Sequence, residues 1–435
     1  MMIYDRSFYL AYHFLVNKKK YFFTKNIFGA ILGIGFSLIP LIVVLEISSG
    51  MIEGITQRYM EIGSYHIQIK SNNTIDEYTE KNTIEIIKSL PGIQSAFPVT
   101  TGIGLAYSEN GRTGISFKAL PSNYFDLDPT AKDYIKIEKG EFLLNSKDSA
   151  MLSLEVARIL DVNPGDRIKI LTAKQIPGRR PVLKPSYLTV KGIFSTGYYE
   201  LDALSIYINI DKGKALFTEK GNNFIAVKIN NPFENIESKT IEVRKALNTK
   251  FYVYNWYDLE KTMIESFKTT KDILLFIMIV IVIVAAMNIS SAVVMLVMEK
   301  EEDIAMLKST GVPSYIITRA FILIGFIMGI LGTISGLVLG LLTAVNINEL
   351  ILIIERIVNF SYTVFQYILS PVLLLSDKNF VIFDTSYYLE QIPIKLDLTN
   401  ILIISTLTVL LSVAAAFFPA VKAGRFKPMD ILRKH

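Results

Sequence analysis

The sequence predicts a membrane protein with four transmembrane α-helices and a large mixed α/β extracytoplasmic domain between the first and second spans. Three observations carry this prediction. Uncharged runs at Asn26–Leu45, Ile273–Met298, Ala320–Asn348 and Thr399–Val421 each reach the roughly 20 apolar residues that a bilayer crossing takes. Both chain ends are basic: Arg6, Lys18, Lys19, Lys20 and Lys25 stand against Asp5, and Lys422, Arg425, Lys427, Arg433 and Lys434 against Asp430. Lys/Arg excess marks cytoplasmic flanks, so both termini are expected inside, which requires an even number of spans. Finally, Glu46 to about Asp272 is too polar for membrane and too long for a loop.

Composition bounds the function from the other side. Of 435 residues, 51% are hydrophobic and 20% charged, so a membrane part and a large aqueous part coexist. The net charge of +5 is modest, and no Lys/Arg stripe with interleaved aromatics points to nucleic acid. The absence of cysteine excludes disulfides, thiolate metal sites and a lipidated Cys anchor. Of the three histidines, His13 and His435 are expected inside and His66 outside, so a His-based triad or multi-His metal site is excluded. No G-x-x-x-x-G-K-[ST] phosphate loop occurs. The chain is therefore read as non-catalytic, with no cofactor or metal of its own.

Within the first span, Gly29, Gly33 and Ser37 give a small-residue face for close helix contact, and Pro40 predicts a kink or flexible point. In the aqueous part, strands are expected at His66–Lys70, Phe97–Tyr107, Thr113–Leu120, Arg167–Leu171, Tyr187–Phe194, Ala203–Ile210, Asn223–Ile229 and Phe251–Tyr254. Asn110-Gly111 reads as a hairpin pair that tolerates positive φ. Helical spacing is read at Leu152–Leu160 and Ile236–Leu247, and Trp256–Asp272 is expected to run on as a stalk into the second span. Thr172–Tyr187 is rich in Pro and basic groups and reads as a loop.

Asn288, Ser290 and Ser291 are polar residues inside the second span. They fit either interhelical hydrogen bonding or substrate contact. In the third span, Gly325, Gly329, Gly332, Gly336 and Gly340 recur at steps of four and three, a stripe that lets a neighbouring helix approach closely. Ile357–Ser376 is apolar but interrupted by Pro371. An even span count makes it a re-entrant or interfacial segment.

Between the second and third spans runs Met298-Glu-Lys-Glu-Glu-Asp-Ile-Ala-Met-Leu-Lys-Ser-Thr-Gly311. Acids at its start and Lys308 near its end suit a helix macrodipole, and Gly311 is a C-cap candidate. This segment resembles the coupling segment of FtsX-type ABC transporter permeases. The stretches V-N-P-G-D-R-I-K-I-L and L-T-V-K-G-I-F-S-T-G-Y-Y-E-L-D, and the ending P-A-V-K-A-G-R-F-K-P-M-D-I-L, are similar to LolC/LolE, the lipoprotein-releasing members.

The resemblance implies a division of the chain. Residues 1–25 would be a cytoplasmic N-terminal segment and 26–47 the first span. Residues 48–270 would form the extracytoplasmic domain, a porter-like part plus a β-rich insert with stalk helices. The second span is 271–298, the coupling segment 299–319 and the third span 320–346. Residues 347–397 form an outer loop, 398–421 the fourth span and 422–435 the tail.

It also implies partners and sites. Glu299, Lys300, Asp303, Ile304, Leu307, Lys308 and Gly311 would couple to the ATPase, with Ile304 and Leu307 in a groove on it. Pro177, Gly178, Arg179, Arg180 and Pro181 would form a chaperone-binding loop. The expected partners are two copies of a LolD-like ATPase holding ATP and Mg, a second permease chain (identical or a LolC/LolE-like relative), membrane lipid, a lipoprotein substrate and a LolA-like periplasmic chaperone. A MacB-like efflux permease with a separate ATPase, or an FtsX-like scaffold for a cell-wall hydrolase, is the alternative.

Overall fold

The computed structural model describes residues 2–17, 22–23, 25–71, 76–174, 182–216, 223–247, 250–369 and 393–426. The chain divides into two compact units: a helical one, whose described parts reach up to Met51 and resume at Lys268, and an α/β one over Ile52–Phe267.

Among the described residues of the helical unit, four helices are long and apolar enough to cross a membrane. They belong to α2 (Lys25–Arg58), α7 (Lys261–Glu299), α9 (Ser314–Val345) and α11 (Leu398–Gly424). Before them comes α1 (Met2–Leu15), which buries Ala11, Phe14 and Leu15. Phe14 stacks on Phe321 of α9 with ring centroids 5.4 Å apart. The helix α2 runs unbroken through Pro40.

The glycine stripe of α9 serves two neighbours rather than one. A Cβ at Gly329 would come within 2.6 Å of the Ser412 Cβ in α11, and one at Gly325 would strike Ala416. A Cβ at Gly332, Gly336 or Gly340 would lie 2.8 to 2.9 Å from side-chain carbons of Ile34, Leu38 and Ile42 of α2. Those three partners are four residues apart, so the first span lies along one half of the stripe and the fourth span along the other. Elsewhere on α9, Ile334, Val338, Leu342 and Val345 are exposed, as a lipid-facing row must be. In α7, the Ser291 hydroxyl donates to the Met287 carbonyl of its own helix at 3.1 Å, and Asn288 lies nearest the first span, its Nδ2 3.8 Å from where a Cβ on Gly33 would be.

Among its described residues the α/β unit has ten strands: β1 (Ile67–Ser71), β2 (Ile93–Tyr107), β3 (Arg112–Leu120), β4 (Lys136–Gly140), β5 (Ser149–Ser153), β6 (Arg167–Lys174), β7 (Val182–Ser195), β8 (Ser205–Asn209), β9 (Asn223–Ile229) and β10 (Phe251–Asn255). Four of them, in the order β10-β1-β9-β2, make an antiparallel sheet. Helices α3 (Glu77–Lys88) and α6 (Ile236–Ala246) follow β1 and β9, giving the split β-α-β-β-α-β arrangement. Ile67, Ile69, Ile87, Ile225, Val227, Val243 and Val253 form its core.

The remaining strands are inserted between β2 and β9. The far half of β2 pairs with both β3 and β6, and the neighbours β2-β3-β8-β5-β7-β6 close into a ring of six. Ile115, Phe117, Leu152, Ile168, Ile170, Val190 and Ile206 fill it. Helix α4 (Leu154–Leu160) follows β5 after Ser153, whose side chain caps it by accepting from the Val156 N–H.

Two local expectations are corrected. The hairpin at Asn110-Gly111 uses no positive φ. Its loop is closed by the Ser108 hydroxyl, which accepts from the Gly111 N–H at 2.9 Å, and a side chain at Gly111 would run into the Ile159 carbonyl, so the glycine is there for close approach. The stalk does not continue from Trp256: a short helical turn, Trp256–Leu259, ends at Glu260 before α7 starts. Trp256 itself is buried, donates Nε1–H to the Pro232 carbonyl and meets Phe233 edge-on.

A buried charge cluster sits at the entry to this unit. Lys228 of β9 is fully buried and pairs with Glu61 and, at 3.1 Å, with Asp128. His66 Nδ1 accepts from the Ile229 N–H at 2.9 Å. Its proton is therefore on Nε2, which donates to Glu61 at 3.1 Å. On the adjoining β3, Lys118 donates to the carbonyls of Ile62 and, at 2.8 Å, Gly63.

Candidate coupling site

The helix α8 (Glu301–Ser309) occupies the connection between the second and third spans. One residue, Lys300, separates it from α7, with backbone φ −103° and ψ 14°. Lys300 bonds to both helices at the bend: its N–H donates to Leu296 at 3.0 Å and its carbonyl accepts from the Ile304 N–H at 2.9 Å. Glu301, Glu302 and Asp303 fill the first turn of α8, where the macrodipole favours negative charge. Lys300 and Asp303 form an ion pair at 3.4 Å. It is partly exposed, and pairs of that kind contribute about 0–1 kcal/mol.

The end of α8 is a Schellman stop. The Gly311 N–H donates to Lys308 at 3.1 Å and the Val312 N–H to Leu307 at 3.0 Å, with Gly311 at φ +89°. That is the pattern in which glycine carries the left-handed position. Lys308 does more than balance the dipole of its own helix. Its ammonium donates to the carbonyls of Gly424 (2.8 Å) and Phe426 (2.6 Å), closing the end of α11.

Ile304 and Leu307 do share a face, and it points inward. Ile304 is 0% exposed, in the helical unit's core beside Val297, Ile317 and Phe321, with Leu307 packed against that core. Ile304 anchors the segment to the spans, while Leu307 is half-buried at the edge of that core. The outward surface is carried by Glu299, Glu302, Met306, Ser309 and Thr310; Met306 is 54% exposed.

A groove of about 760 Å³ opens beside the end of α8, lined by Arg6, Tyr9 and Leu10 of α1 and by Leu307, Thr310–Pro313 and Ile316. The sequence marks Arg6 only as a charge that sets topology, and gives no sign of Tyr9 and Leu10 as groove residues. Ala11, Phe14 and Leu15 at helical spacing would have signalled that this stretch is a packed helix. The structure thus brings Leu307 and Gly311 of the expected coupling set together with the N-terminal helix, and ties Lys308 to the fourth span.

Pro177, Gly178, Arg179, Arg180 and Pro181 lie outside the described residues. Strands β6 and β7, on either side of them, pair antiparallel up to Lys174 and Val182.

The chain is similar to known proteins over most of its length. The model of the MacB-like periplasmic core domain matches residues 27–238. The lipoprotein-releasing system transmembrane protein LolC of Xylella fastidiosa (strain Temecula1) is 23% identical over 408 residues, covering 93% of each chain. LolE of Haemophilus influenzae is 24% identical over 420 residues, covering 94% of each. The periplasmic region of MacB from Actinobacillus actinomycetemcomitans aligns with 47% of this chain and 95% of that one, at 16% identity and a TM-score of 0.32. The match to the MacB-like periplasmic core domain, together with similarity to LolC and LolE along nearly the whole chain, makes this protein similar to the LolC/LolE type of MacB/FtsX permease.

Proposed function

We propose that this chain is the permease subunit of a transporter that extracts lipoproteins from the inner membrane and passes them to a periplasmic chaperone. ATP hydrolysis by two copies of a LolD-like ATPase, which hold ATP and Mg, drives it by mechanotransmission. Both termini and α8 lie on the cytoplasmic side, and the α/β unit lies in the periplasm. The observation that carries the reading is the end-to-end similarity to LolC over 93% of both chains.

The site supports a mechanical role. A push on Glu302, Met306 and Thr310 meets a helix that cannot yield locally. Ile304 is locked in the core, Lys308 is bonded to the end of α11, and Lys300 is hydrogen-bonded through its backbone to both α7 and α8. Displacement of α8 would pass directly to the second and fourth spans. The groove beside α1 offers the ATPase a second point of contact. The loop carrying Arg179 and Arg180 is the proposed chaperone site, and a second permease chain completes the complex.

The test is reconstitution. The full-length chain, its ATPase and its partner permease are placed in proteoliposomes carrying a triacylated lipoprotein. ATP-dependent appearance of that lipoprotein on a soluble LolA-like chaperone is expected. Stimulated ATP hydrolysis with no lipoprotein release, together with export of a small amphiphile, would overturn the proposal in favour of a MacB-like efflux permease.

A further inference from the structure

The helix α10 (Ile347–Leu369) follows α9 after the single non-helical residue Asn346. Plotted at 100° per residue, its exposed apolar residues gather on one side, with Leu352 alone falling among the polar ones. Ile353, Ile354, Ile357, Phe360 and Val364 fall on one arc, and all are exposed, Phe360 at 71%. Glu355, Arg356, Asn359 and Thr363 fall on the opposite arc. It is not counted among the four helices apolar enough to cross a membrane.

We infer that α10 lies on the membrane surface where the third span emerges, with its exposed apolar arc among lipid acyl chains and its polar arc in water. The height of its first residue supports this. As a helix, the uncharged stretch from Ala320 to Val345 rises about 39 Å, more than the roughly 30 Å hydrocarbon core. Asn346 therefore sits at the boundary between lipid and water. A continuation away from the membrane would place five large apolar side chains in water, whereas a continuation along the surface places them in lipid. The lipid-facing row of α9, Ile334, Val338, Leu342 and Val345, runs to the last residue before Asn346, after which α10 begins. A strong apolar face opposite a charged one, on a helix starting at the interface, is the pattern of an in-plane membrane helix. The inference rests on the span architecture alone and stands whether or not the cargo is a lipoprotein.

The chain has no cysteine, so single-cysteine variants report unambiguously. Ile357→Cys and Phe360→Cys on the apolar arc, and Arg356→Cys and Thr363→Cys on the polar arc, are labelled with an environment-sensitive fluorophore. The full-length protein is held in phosphatidylethanolamine/phosphatidylglycerol nanodiscs, and thermal unfolding verifies each fold. Labels at 357 and 360 are expected to be quenched several-fold more by a lipid-borne nitroxide than by aqueous iodide, with the order reversed at 356 and 363. Equal iodide quenching at all four positions would overturn the inference. So would protection at 357 without lipid quenching, accompanied by crosslinking between Ile357→Cys copies, which would assign the arc to a second copy of the chain.

Discussion

The ammonium of Lys308 donates to the carbonyl of Gly424 across 2.8 Å, so the short helix between two spans holds the end of a third. A charge-assisted bond to backbone contributes about 1.5–3 kcal/mol. Lys308→Met should lower the unfolding free energy of the detergent-solubilised chain by an amount in that range, with Lys308→Arg retaining part of it. A melting temperature equal to wild type in Lys308→Met would show that the bond is dispensable.

Ile304 and Met306, two residues apart, should separate stability from docking. Removing a buried isoleucine costs about 2–5 kcal/mol, so Ile304→Ala should destabilise the chain by that amount. Met306→Ala should leave stability within about 0.5 kcal/mol of wild type, as exposed positions do, and weaken capture of the ATPase. Melting curves and pull-downs on the two variants check both halves.

Gly340 and Ile42 should be energetically coupled. Overpacking costs about 1–3 kcal/mol, so Gly340→Ala alone is expected to destabilise by that amount, because its Cβ would lie 2.9 Å from the Ile42 Cδ1. Ile42→Ala alone opens a cavity. The double variant should lose less than the two losses added, since contacting residues depart from additivity. Strict additivity in denaturation would mean that the spans do not touch there.

Lys228 holds Glu61 and Asp128 apart as unlike neighbours of one buried cation. Lys228→Ala leaves two carboxylates without it, and breaking a buried pair costs about 3–5 kcal/mol. A drop of that size is expected in thermal unfolding of the full-length chain.

Lys118 predicts a pH dependence. Burial pushes its ammonium down to about 7, opposed by the charge of Glu260. The unfolded chain, with an ordinary lysine near 10.4, therefore binds more protons than the folded one between those values, so stability rises with pH there. Melting temperature should climb from pH 7 toward pH 10, and Lys118→Met should flatten the climb.

Much of this was legible in the sequence, for physical reasons. The four spans announce themselves through uncharged length, and β9, through its apolar run Phe224–Val227, lies at the residues expected. Helix α3 went unread because its signals are local: Asp76 accepts from the Thr79 N–H, with only Ile84 and Ile87 turned to the core. The spacing of Ile304 and Leu307 was plain, but no spacing says whether the neighbour on that face is a partner or the chain itself. The bond from Lys308 to Gly424 spans 116 positions, and nothing local encodes it. Ring closure is hidden likewise, since the pairing of Ala106 with Ile170 depends on strands between them that must curl.

Strand β2 belongs at once to the four-stranded sheet and to the six-membered ring, and this sets an order of events in time. Its near half pairs with β9, where Thr100 meets Asn223, so that sheet cannot close until the whole ring-forming insert has been made and delivered. Pairings across so long a loop are slow. Until then the apolar edge of β2 stands open. A chain delivered N-terminus first would complete the ring before the sheet, and the nascent domain would be most prone to aggregation between delivery of Asn209, which ends the last ring strand, and delivery of Ile229.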